Sequence, residues 1–325
     1  MNTFKLHLRY ITVVLVLYSL TSCRKEADPV ATSQTVQTYL DQLMSEMEQY
    51  SINRQTIDWA SFRQQVTNKA QGAQTIADTY PAIELALTLL GDNHSSYTTS
   101  TGTVLIGGRT IHCTDGTPTA VPANSKIGYV KITGFSGSGD AATSFAQSVQ
   151  NSIKQADTDS IKGWIVDLRG NTGGNMWPML AGIGPILGEG IAGYFMTPDG
   201  GITSWSYQNG SSIMGQTKIV SLTNPYVLRS PAPKVAVLTN QVTASSGEAI
   251  AISFKTRPST RSFGSPTCGL STANATKVLS DGAVLNLTQG TMADRTKTPY
   301  GKQVQPDEVL YSAEAVDKAI AWILQ

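Results

Sequence analysis

Hydrophobic positions change their period along this chain. Between residues 35 and 50, Val36, Tyr39, Leu40, Leu43, Met47 and Tyr50 recur at the three- and four-residue steps that place them on one face of a helix. A second helix is expected over residues 57–69 and a third over 81–90. Pro81 suits the first turn of that third helix, where its missing N–H is not needed, and Gly91 suits the stop. Beyond residue 103, short runs rich in Val, Ile and Tyr take over, at 104–106, 127–132, 164–168, 191–196, 218–222, 235–239 and 283–287. Helical stretches alternate with several of them, over residues 177–187, 247–256 and 313–324. Another follows Asp140, the expected cap of a helix that presents Phe145, Val149 and Ile153 on one face. Strands alternating with helices predict an α/β core with parallel pairing, and Val235-Ala236-Val237-Leu238 fits a strand buried on both faces.

The first residues read differently. Lys5, His7 and Arg9 precede an apolar run over residues 11–20, which is about half the roughly 20 residues needed to cross a bilayer, and small polar residues end it. Residues 1–22 are therefore expected to be a signal peptide. Leu20-Thr21-Ser22-Cys23 resembles the lipobox of bacterial lipoproteins, in which the cysteine becomes the lipidated first residue of the mature chain, so Cys23 is the expected lipidation site. Residues 23–33 then form a tether, 34–93 a small helical subdomain and 94–325 the α/β domain. Arg24, rather than an aspartate, after the cysteine favours the outer membrane of the bacterial envelope.

Composition narrows the function classes. The 325 residues carry 24 Lys plus Arg against 23 Asp plus Glu, a net charge of +1, so no basic excess is available to grip phosphates and no nucleic-acid partner is expected. A 40% hydrophobic content with so little net charge belongs to a folded chain. With Cys23 set aside, Cys113 and Cys268 remain as a pair that can bridge in an oxidising compartment. They lack C-x-x-C spacing, and once the leader is removed only His94 and His112 remain as histidines, so no metal and no cofactor are expected.

Three segments can carry chemistry. In Thr243-Ala244-Ser245-Ser246-Gly247-Glu248, Ser245 stands where the strand at 235–239 turns into a helix, beside N–H groups that the helix leaves unpaired. Those donors favour an alkoxide or a tetrahedral oxyanion, although Ser245-x-x-Glu248 also satisfies a simple capping box. In Asp167-Leu168-Arg169-Gly170-Asn171-Thr172-Gly173-Gly174, the adjacent glycines allow backbone conformations that aim N–H groups at an anion, while Asp167 and Arg169 tie the loop to its scaffold. Serine needs a base to take its proton. His94, in a polar loop with Asp92, Asn93, Ser95 and Ser96, is the better placed of the two histidines, because His112 falls in an expected strand beside Cys113. Residues 182–188 resemble a dinucleotide loop only superficially, since they fail the G-x-G-x-x-G spacing and follow a helix.

Taken in order, Gly128-Tyr129-Val130, the segments at 167–174 and 243–248, Phe263-Gly264-Ser265-Pro266-Thr267-Cys268-Gly269, and Tyr300-Gly301 to Pro306-Asp307 resemble the serine peptidases of the C-terminal processing (tail-specific) family and the tricorn protease core. The resemblance implies a crotonase-like (ClpP-like) α/β core, Ser245 as nucleophile, and the N–H groups of Gly174 and Ser246 as oxyanion hole. Relatives with a Ser-Lys dyad have lysine directly after this Phe-Gly, where Ser265 stands here, so the resemblance is to the tricorn-type branch with a histidine base, His94. That branch completes a tetrad with a serine and a glutamate. Ser95 offers the serine, and because Tyr300 occupies the place of the glutamate, Asp294 is the nearest acidic substitute. The stretch between His94 and the strand at 127 is too short for a PDZ domain of about 90 residues.

These observations lead to the expectation of a lipid-anchored envelope serine peptidase acting on peptides or proteins through an acyl-enzyme on Ser245. The alternative is a catalytically silent relative that binds peptides in the same cleft. An α/β-hydrolase esterase is disfavoured, because no serine lies in a G-x-S-x-G elbow.

Overall fold

The computed structural model of the protein describes residues 31–325; the leader, Cys23 and the tether as far as residue 30 lie outside the described residues. The three N-terminal helices form as their periodicity predicts, α1 (Gln34–Tyr50), α2 (Trp59–Lys69) and α3 (Tyr80–Leu90). Ser33 caps α1 by accepting the Val36 N–H, and Asp58 caps α2 by accepting that of Ser61. There follow β1 (Ser96–Thr98), β2 (Val104–Ile106), β3 (Ile127–Lys131), α4 (Gly139–Ala156), β4 (Gly163–Asp167), α5 (Met176–Leu187), β5 (Gly190–Met196), β6 (Ile202–Gln208), β7 (Ser211–Met214), β8 (Thr217–Ser221), β9 (Lys234–Thr239), α6 (Ser246–Phe254), β10 (Thr260–Gly264), β11 (Thr272–Val278), β12 (Val284–Ala293), β13 (Glu308–Val309) and α7 (Ser312–Leu324). Among the described residues no helix is long and apolar enough to cross a membrane.

Parallel pairing holds in one of two sheets. β13, β10, β9, β4 and β3 lie side by side in that order, every pair parallel. Alternate residues face opposite layers: Trp164 and Val166 of β4 and Val235 and Val237 of β9 pack in the cluster that includes α4, α5 and α6, while Ile165, Ala236 and Leu238 meet Ala315, Val316 and Ala319 of α7. The second sheet runs β2-β1-β12-β5-β6-β7-β8 with β11 added to β12, and all its pairs are antiparallel. The alternation of strands with helices therefore describes only the first sheet. Leu43, Met47, Phe62 and Ile83 of the N-terminal helices share a core with Tyr97 of β1, Leu105 of β2 and Leu285 of β12.

Two local expectations are corrected. Ser138, not Asp140, is the N-cap residue of α4, and Asp140 sits in the first turn, where its charge still complements the helix dipole. Residues 107–124 have no regular secondary structure, so His112 is not in a strand; it is exposed, and its carbonyl accepts from the Gln241 side chain at 3.2 Å. Disulfide bonding of Cys113 to Cys268 ties this segment to the loop between β10 and β11. Cys268, Ala244 and Leu270 are buried together, with Ile111 and Cys113 packed against them.

Candidate active site

Ser245 lies between β9 and α6, at the C-terminal edge of the parallel sheet. Its backbone takes φ 52° and ψ −115°, a strained conformation for a residue with a Cβ, which persists only where its surroundings over-determine it. Those surroundings are visible. Glu248 accepts the Ser245 N–H at 2.8 Å, so the glutamate's half of the capping box is formed, and the carbonyl of Asn171 accepts the Ala244 N–H at 2.9 Å. Glu248 is fully buried and also accepts from the Thr267 hydroxyl and the Gly269 N–H. Burial pushes its carboxyl up to about 7, opposed by these hydrogen bonds.

The Ser245 hydroxyl lies 3.0 Å from Nε2 of His94, across 151 residues of sequence. His94 sits between α3 and β1 in a loop that Asp92 organises: one carboxylate oxygen accepts the N–H groups of His94 at 2.8 Å and Ser95 at 2.6 Å, and the other accepts the Ser95 hydroxyl. The imidazole is 8% exposed. Burial pulls its pKa from 6.5 to about 4, with Asp92 opposing and Arg109 assisting, so at neutral pH the ring is uncharged and can accept a proton.

Nδ1 of His94 is 2.7 Å from the hydroxyl of Thr272, the first residue of β11. With Nδ1–H donating to Thr272, Nε2 is left as the acceptor for the serine proton, which is the tautomer a general base requires. Neither residue expected beside the imidazole is found there. Ser95 donates to Asp92, and its oxygen accepts the Thr288 N–H. Asp294 is consumed by its own turn, accepting from the N–H groups of Thr296 and Thr298, the Thr296 hydroxyl and the hydroxyl of Tyr300. Thr272 was missed because a threonine opening a polar strand has no motif to distinguish it.

The loop after β4 is held by a buried two-pronged ion pair, in which Arg169 donates to both oxygens of Asp167 at 2.8 Å. Gly173 donates to the Asn171 side chain at 2.9 Å and its carbonyl accepts the Phe135 N–H. Gly174 follows at φ +110°, and a Cβ there would stand 2.2 Å from the Phe135 carbonyl oxygen. Among the described residues the N–H groups of Gly174 and Ser246 have no protein acceptor, and both residues line one cleft with His94 and Ser245. A serine within reach of an uncharged imidazole, beside two backbone donors on residues lining the same cleft, is an arrangement that can support acyl transfer. No cluster of three or more His, Cys, Asp or Glu residues that could hold a metal occurs among the described residues.

Ser245 at the end of the parallel sheet meets His94 from the loop before β1 in a mixed α/β fold, and the chain belongs to peptidase family S41, whose model matches residues 126–310. Over 288 residues it is 27% identical to the nisin-resistance protein of Lactococcus lactis subsp. lactis, spanning 88% of this chain and 86% of that protein. It is 28% identical over 166 residues to the carboxy-terminal processing protease CtpA of Bacillus subtilis (strain 168), spanning 51% of this chain and 30% of that one. Among solved structures, a lipoprotein from Streptococcus agalactiae matches with a TM-score of 0.72 and 25% identity, covering 89% of this chain and 96% of the other. The photosystem II D1 C-terminal processing protease matches with a TM-score of 0.55, covering 88% and 97%; at 16% identity that likeness is one of fold.

Proposed function

We propose that the protein is a serine peptidase of the bacterial cell envelope, anchored by lipid on Cys23, that hydrolyses peptide bonds through an acyl-enzyme on Ser245. The observation that carries this reading is the 3.0 Å approach of the Ser245 hydroxyl to a buried imidazole, at a strained helix N-terminus flanked by two unpaired N–H groups. The names of a nisin-resistance protein and a lipoprotein among its relatives support the envelope location.

In this mechanism Nε2 of His94 takes the Ser245 proton as Oγ attacks the peptide carbonyl carbon. The tetrahedral oxyanion rests on the N–H groups of Gly174 and Ser246. The imidazolium then gives its proton to the leaving amine, and the carbon–nitrogen bond breaks. Water, deprotonated by the same Nε2, attacks the acyl-enzyme and frees the acid and Ser245. A fluorophosphonate probe should label Ser245 and no other residue; a protein that binds peptides without labelling would be the silent relative instead.

Thr272 enters as a positioning residue. Thr272→Val should lower kcat by about 10–100-fold, less than the roughly 10⁴ lost when a carboxylate orienter is replaced. Thr272→Ser, which keeps the hydroxyl, should restore most of it. Equal losses in both variants would mean that Thr272 only packs.

Because the base must be uncharged, kcat/KM should fall as pH drops through the His94 value, giving an acid limb near pH 4 rather than near the ordinary histidine value of 6.5. Glu248→Gln should remove any step near pH 7 and leave this limb in place. An acid limb centred at 6.5 in the parent would show that the working imidazole is solvated.

A further inference from the structure

The cleft beside Ser245 has a volume of about 980 Å³, and among the described residues that line it His94 alone is ionisable. The remainder is apolar, including Trp177, Phe195 and Met292, or neutral and polar, including Asn286 and Gln289. Of the charges nearest the lining in sequence, Lys277, which follows Thr276, is held by Glu46 at 2.8 Å, Asp199, two residues beyond Thr197, pairs with Arg54, and Asp140, two residues beyond Ser138, is exposed. Among the described residues the lining itself thus offers no cation for a terminal carboxylate and no carboxylate for a terminal ammonium. A charge moved into such surroundings loses its hydration with nothing to replace it.

One wall of the cleft is built from residues 272–276 of β11. Among the described residues this strand pairs with β12 alone, so its second edge carries backbone N–H and C=O groups available to another extended chain. An extended polypeptide laid along that edge would pass Thr272, and therefore His94, at one end of the strand.

Resting on the peptidase reading, we propose that the cleft selects an uncharged, extended segment from within a polypeptide, seated on the free edge of β11, and does not read a chain terminus.

The test uses internally quenched peptides of Ala, Ser, Leu and Phe. Companion peptides carry one Asp or Lys within two residues of the cut, and others end two residues beyond it as free acid or amide. Each central charge should lower kcat/KM by about tenfold or more, whereas exchanging acid for amide should change it less than about twofold. Tolerance of Asp and Lys within about twofold, or a preference for the free acid of about tenfold, overturns the proposal. Binding of the same peptides to Ser245→Ala, followed by fluorescence anisotropy, should give the same order without turnover. Absence of any Ser245-dependent hydrolysis would sink the peptidase reading, while the binding order would still decide what the cleft selects. Placing a cation on the lining with Gln289→Lys should shift preference towards the Asp peptide by about tenfold, a change in the ratio worth about 1.4 kcal/mol. An unchanged ratio would mean that the peptide does not pass Gln289.

Discussion

Ser245→Ala and His94→Ala should each lower kcat for peptide hydrolysis by about 10⁶, because a nucleophile and its base act as one unit and removing either abolishes the covalent route. The double variant should be little worse than either single one. That non-additivity separates a catalytic pair from two independent contributors, whose losses would multiply. The geometry behind the expectation is the 3.0 Å contact between Oγ and Nε2, together with an imidazole held uncharged by burial. Both variants should melt near the parental temperature. Alanine at 245 keeps a Cβ in the same strained backbone, and Glu248 still caps the same N–H. Near-parental rates in either variant would remove the mechanism. Fluorophosphonate labelling should vanish in Ser245→Ala and slow by a similar factor in His94→Ala.

Gly174→Ala should have the next largest effect, a loss of about 10²–10³ in kcat from a displaced oxyanion donor. A Cβ at this position would lie 2.2 Å from the Phe135 carbonyl oxygen, so the loop must shift and carry the Gly174 N–H with it. The substitution also strains a backbone at φ +110°, which lowers the folded fraction. Gly170→Ala supplies the control. It lies in the same loop at φ +80°, yet a Cβ there meets nothing within 4 Å. Each substitution carries a backbone cost of about 1–2 kcal/mol, read as a lower melting temperature, but only Gly174→Ala should lose kcat when rates are referred to folded protein. Equal kcat values for the two variants would mean that the Gly174 N–H does not hold the oxyanion.

The segments that converge in the cleft were legible for a physical reason. Residues 243–248 and 167–174 join strand ends to turns, and their Gly, Ser and Asn content reflects local backbone demands that nearby residues impose. With only His94 and His112 among the described residues, the choice of base has few options. Analogy of sequence position puts Ser95 and Asp294 beside the imidazole, but Ser95 is held by Asp92 and by the Thr288 N–H, and Asp294 by its own turn. Asp92 is three residues from Ser95, and Thr296 and Thr298 lie two and four residues beyond Asp294. Short side chains that can bond to nearby backbone do so before reaching across a cleft. Thr272 could not be read in this way, since it meets His94 across 178 residues.

Strands show the same division. β3, β4 and β9 were visible as apolar runs because the parallel sheet is covered on both faces. β6, β7 and β11 are rich in Ser, Thr and Asn, with side chains that do not announce a strand; they form because antiparallel neighbours satisfy their backbone groups. What the sequence determined by itself was the helical rhythm of the N-terminal residues, the buried parallel strands and the turn segments that carry Ser245, His94 and the adjacent glycines. Only the tertiary structure decided the antiparallel sheet, the positive φ of Ser245 and the hydroxyl that faces Nδ1 of His94. Periodicity and turn chemistry act over a few residues, whereas each of those outcomes depends on groups brought together from distant parts of the chain, whose pairing is settled only when the core closes.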